Sequence, residues 1–184
     1  MNTRSLVLAV LLLAAPAAAQ GRMEESFGAW RAFTDGAPCG MESASGPRLL
    51  RITQAMGGEM VTFQVSRGGW RIPPGEAIAL VMQVDNQEAI LVRSARGAED
   101  AIRFTVDRER FADFSPQFTA GGTLRLSFPD GDEQPWFVSL RGSSAAYASF
   151  WRCLGGMGST PQPFGRGQRQ EGEPQPFGPF QLPL

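Results

Sequence analysis

The sequence predicts an all-β fold: an antiparallel β-sandwich or barrel-like sheet of about eight strands, with one C-terminal α-helix and a disordered tail. Three observations predict it. Apolar residues recur at every second position in five segments between Phe27 and Arg141. Those segments are short and are separated by Gly, Pro and Asx turn signals. A strong helical period appears once, after Ser143.

Residues 1–19 precede the pattern and read as a signal peptide. Arg4 is the positive start, Leu6 to Ala15 form an apolar run of 10 residues, and Ala17 and Ala19 supply the small residues of a cleavage site before Gln20. The run is too short to span roughly 30 Å of hydrocarbon, and no Cys follows the cleavage site to carry a lipid. The expectation is a periplasmic, possibly secreted, protein with no transmembrane segment in the mature chain.

Residues 20–154 then form the expected sandwich domain. Weak strands fit Phe27 to Thr34, Arg48 to Gln54 and Glu88 to Arg93. Strong ones place Val61, Phe63 and Val65 on one face, then Ile78, Leu80, Met82 and Val84, then Ile102, Phe104 and Val106. Leu124, Leu126 and Phe128 follow, then Trp136, Val138 and Leu140. Successive strand side chains point to opposite faces, so each segment has a core face and a wetter face. Gly57-Gly58, Gly68-Gly69, Pro73-Pro74-Gly75, Asp85-Asn86, Gly121-Gly122 and Pro129-Asp130-Gly131 divide them. Arg108 to Phe114 reads as a short turn of helix with Phe111 and Phe114 facing in. The C-terminal helix is capped by Ser143 or Ser144, carries Tyr147, Phe150, Trp151 and Leu154 on one face, and stops at Gly155-Gly156.

Residues 155–184 form a flexible tail: 18 of these 30 residues are Gly, Pro or Gln, too little apolar surface to offset the entropy of ordering. It repeats Pro161-Gln-Pro-Phe-Gly165 as Pro174-Gln-Pro-Phe-Gly178. The repeat is either low-complexity drift or a polyproline-like peptide that presents Phe164 and Phe177 to a groove or to the cell wall.

Composition excludes much chemistry. Of 184 residues, 17 are basic, all of them Arg, and 18 are acidic, for a net charge of −1. There is no His and no Lys. A Ser-His-Asp or Cys-His apparatus, a His-bearing metal site, a Schiff-base lysine and a P-loop lysine are therefore absent. A near-neutral chain has no basic field for nucleic acid.

Cys39 and Cys153 bracket the domain. In an oxidising compartment an even pair usually bridges, which here clamps the helix to the N-terminal strands. The alternative is two buried thiols. Catalytic chemistry is left to carboxylates. Asp130, Asp132 and Glu133 match no full calcium loop. Asp85 with Glu88, or Asp107 with Glu109 and Asp113, can make a glycosidase pair only if the fold brings them together. Trp70 and Arg71 can grip an acidic ligand, or else close a Gly-rich turn with a core Trp.

One resemblance emerges from the order of features. Phe27-Gly28-Ala29-Trp30 follows the signal peptide, Cys39 comes next, then Ile72-Pro73-Pro74-Gly75 before a strand, and finally Ser139-Leu140-Arg141-Gly142-Ser143-Ser144-Ala145-Ala146. From Phe27 to Cys153 the chain resembles the invasion-associated locus B family of exported bacterial proteins, or a sister family with a single terminal disulfide. Arg141 and Ser143 stand where that family usually has Lys and Phe, and the family's additional mid-chain cysteines are missing. The resemblance implies association with the bacterial envelope and, in some pathogens, host-cell entry, and it brings no active site. The expected function is therefore non-catalytic binding or assembly of an envelope protein or cell-wall component, with no cofactor and no metal. The alternatives are a carboxylate-based cell-wall glycan hydrolase and an inhibitor of a secreted hydrolase.

Overall fold

The computed structural model describes residues 24–155 apart from 35 and 37. The predicted signal peptide and tail lie outside the described residues.

The described chain forms eleven strands and two helices. In order they are β1 (Glu24–Phe27), β2 (Trp30–Thr34), β3 (Pro38–Ser45), β4 (Arg48–Ala55), β5 (Met60–Arg67), β6 (Leu80–Val84), β7 (Ile90–Val92), β8 (Arg96–Ala98), β9 (Ala101–Asp107), α1 (Arg108–Ala120), β10 (Thr123–Ser127), β11 (Trp136–Ser139) and α2 (Ser143–Gly155). Two antiparallel sheets result, ordered β1-β2-β3-β4-β5-β9-β8 and β11-β10-β6-β7. The arrangement is an open sandwich.

Alternation converts directly into layers. Ala32, Met41, Ile52, Phe63 and Phe104 stand in register across five strands of the large sheet and are all buried. One residue away, Arg31, Glu42, Arg51, Gln64 and Arg103 form the opposite, polar row. Within it Glu42 pairs with Arg31 and Arg51. Hydrogen bonds that Arg31 donates to Glu42 and Glu24 raise its pKa. Leu80, Met82 and Val84 of β6, with Leu124 and Leu126 of β10, face the large sheet's apolar rows within a single core.

Several expectations need correction. Phe27 to Thr34 is the middle of a hairpin rather than one strand, because Gly28 turns the chain at φ +60°. Residues 38–45 and 96–98 are strands that carry too few large apolar residues to show alternation. The helix at Arg108 runs thirteen residues, past Pro116. Proline lacks the N–H that would bond the Ala112 carbonyl. Ser115 Oγ donates to that carbonyl instead, at 2.8 Å. Ser143 starts α2, but its hydroxyl donates to Phe118 O at 3.0 Å and so ties the two helices together.

The hairpin and the β11–α2 corner meet. Ala29 N donates to Arg141 O at 3.0 Å, and Trp30 Nε1 donates to Ser139 O at 2.8 Å. Gly142 sits at φ +95°, and a Cβ there would collide with the Phe27 carbonyl. The two ends of the sequence resemblance are thus one structural joint. Cys39, paired with Thr34 at the far end of β2, and Cys153, near the end of α2, close the opposite end at disulfide distance, with Cα atoms 5.9 Å apart.

Candidate functional site

Trp70 lies where the β5 strand leaves its sheet through Gly68-Gly69. Its ring stacks on Trp136 at 5.3 Å and meets Phe128 edge-on at 5.7 Å. Its Nε1 donates to Glu133 Oε2 at 3.2 Å, and Trp136 Nε1 donates to Glu133 Oε1 at 2.7 Å. Arg48 and Arg67 complete the shell of Glu133. Burial alone would raise the Glu133 pKa. Hydrogen bonds from Trp136, Arg67 and Trp70, with the charge of Arg67, outweigh burial and hold the carboxyl below its ordinary value. Arg71 is exposed on the rim of the adjoining cleft, which also carries Glu76, Asp130 and Asp132.

Three of the other candidate carboxylates accept from backbone N–H groups. Asp85 accepts from Gly122 N and Thr123 N, both at 2.9 Å. Asp107 caps α1 by accepting from Arg110 N at 2.7 Å. Asp130 accepts from Ala79 N at 3.3 Å. Among the described residues no group of three acidic or Cys side chains is placed to hold a metal.

A different region is open. The short β8 pairs only with Ala101–Arg103, so among the described residues β9 from Phe104 onward has no neighbour on that side. In the other sheet β7 is the edge strand and, among the described residues, pairs only with β6. Between these two edges lies a groove of about 460 Å³. Phe63, Phe104, Phe111 and Phe114 form its floor, where Phe63 and Phe104 stack at 4.8 Å. Arg110, Asp113, Phe114 and Gln117 line it from α1, at the spacing of one helix face.

Ile90 shows why the groove is unusual. It stands opposite Met82, on the face that points into the core. Met82 is 4% exposed, yet Ile90 is 39% exposed and its neighbour Leu91 46%. The apolar layer of the sandwich therefore continues to the edge and is left uncovered. Alternate backbone groups of an edge strand also point outward, which makes β7 a template for pairing. The β8 edge is treated differently: residues 72–78 pad it, with Ile72 N donating to Glu99 O and Gly75 N to Gly97 O.

Of the residues singled out in the sequence, Trp70 and Arg71 fall together beside Glu133, and Phe164 and Phe177 lie outside the described residues. Neither Trp70 nor Arg71 lines the groove, whereas Asp113, weighed in the sequence as a catalytic carboxylate, does. The sequence signal for the groove was present but mute: Glu88 to Arg93 reads as an ordinary weak strand.

No family model matches the chain, and no curated protein matches it. The fold is similar to that of a solved crystal structure, the invasion associated protein b from Bartonella henselae. That likeness has 18% sequence identity and a TM-score of 0.50, and covers 72% of this chain and 99% of the other. The fold implied by the sequence resemblance is thereby supported in three dimensions.

Proposed function

We propose that the protein is exported to the periplasm, performs no chemistry, and holds an extended apolar segment of an envelope protein along β7. The observation that carries this reading is the uncovered core layer at Ile90, on a strand edge that is unpaired among the described residues. A strand laid beside β7 would satisfy its backbone groups, while alternate side chains would enter the groove. An apolar groove of this kind suits a peptide better than a glycan, whose hydroxyls would lose their hydrogen bonds there. The name of the structurally similar protein, invasion associated, fits a role at the cell surface. The Trp70–Glu133 cluster acts in this reading as the joint that stiffens the opposite end of the sandwich.

Site-specific photo-crosslinking in the native cell tests the proposal. A benzophenone residue at Leu91 should yield one dominant envelope-protein adduct. The same residue at Phe137, which is 69% exposed on the opposite strand of that sheet, should not. Identical adducts from both positions, or none from position 91, would overturn the reading.

A further inference from the structure

We infer that the groove has an occupant built into the chain: the first Pro-Gln-Pro-Phe-Gly copy folds back and seats Phe164 against Ile90 and Val106 until a partner displaces it. The inference rests on the reading of the groove given above. It makes the C-terminal segment an internal competitor.

The path of the chain favours it. Ser143, at the start of α2, bonds the Phe118 carbonyl near the end of α1. Trp151, near the end of α2, lies beneath the Arg108 guanidinium at the start of α1, 4.5 Å from ring to charge. The helices therefore run antiparallel, and α2 ends beside the beginning of α1. Phe111, part of the groove floor, is 6.5 Å from the Trp151 ring. Gly155 is one helical turn, about 6 Å, further along. The chain thus leaves the described fold at the end where α1 begins, two residues past Cys153, which is bonded to β3, three strands from the β9 wall of the groove.

Length and chemistry agree with that exit. Phe164 is nine residues beyond Gly155, a reach of up to about 30 Å. From Arg110 to Gln117 the groove wall runs only about 10 Å along α1. Residues 161–165 carry no charge and one large apolar side chain. Two prolines bias them toward a polyproline conformation, so little entropy is lost on docking into an apolar groove with an aromatic floor. The second copy places Phe177 at 22 residues. Effective concentration falls as roughly the −3/2 power of tether length, so the first copy is favoured about fourfold.

Hydrogen exchange on the full mature chain tests this. In the wild type, amides of residues 90–92 should be protected. Phe164→Ala, and separately removal of residues 158–184, should each speed their exchange at least about threefold, and Phe177→Ala by less than about twofold. A synthetic peptide spanning residues 159–167 should restore protection to the shortened chain. Because Phe164→Ala keeps the whole tail, it reports even if the deletion disturbs folding. Equal exchange in wild type and Phe164→Ala would overturn the inference, and the crosslink from position 91 would then show whether the groove still binds a partner. Protection that vanishes on dilution would place another copy's tail in the groove and overturn it as well.

Discussion

Glu133 holds a partly buried charge among four donors, and this gives the fold a pH response. Its folded pKa lies below the ordinary 4.5. A depressed carboxyl pKa contributes stability that is fully present above the unfolded value and is lost as pH falls through the folded value. The wild type should therefore unfold at lower denaturant concentration as pH drops below about 4.5. Glu133→Gln should unfold more easily at pH 7 by about 1–3 kcal/mol, because charged hydrogen bonds to two arginines and two indoles are weakened. Its stability should also depend less on pH in the acid range. A variant with the wild-type acid slope would show that another carboxyl governs it. Nothing local marked Glu133 for this role. Asp130-Gly131-Asp132-Glu133 reads as a polar turn, and apart from Trp136 its partners come from 63 to 85 residues away.

At the scale of elements, α2 was legible because the period of Tyr147, Phe150, Trp151 and Leu154 is a local property of the chain. The degree of burial was not. Phe150 is fully buried and meets Phe111 edge-on at 6.1 Å. Trp151 is only partly buried, with one face under Arg108. Phe150→Ala should cost about 3–5 kcal/mol in urea unfolding. Trp151→Ala should cost clearly less, and equal losses would show that the indole is as closely packed as the phenyl ring. The extension of α1 beyond Phe114 has the same lesson. Proline argues for an end at that point, but Phe118 is anchored edge-on against Trp30 at 5.1 Å, and this contact with β2 draws the helix onward.

Across the whole molecule, the pairing of Cys39 with Cys153 joins the third strand to the last helix over a sequence separation of 114. Non-reducing mass spectrometry of the protein isolated from its native cells with thiols blocked should find that single linkage. Cys153→Ser should lower stability by about 2–5 kcal/mol, and free thiols in the isolated protein would refute the pairing. By itself the sequence determined which residues face the core, where most turns fall, and that one strongly patterned helix closes the chain, because side-chain alternation and turn chemistry act within a few residues. It also determined that imidazole and lysine chemistry is absent. Only the tertiary structure decided that residues 38–45 form a central strand, since its Gly40 is covered by the Phe33 ring and its Glu42 is neutralised by arginines on both neighbours. Only the tertiary structure opened the groove. Whether Ile90 is core or surface depends on β8 stopping short of Phe104 and on α1 lying along the gap, and strand neighbours of this kind are chosen by long-range packing that no local pattern encodes.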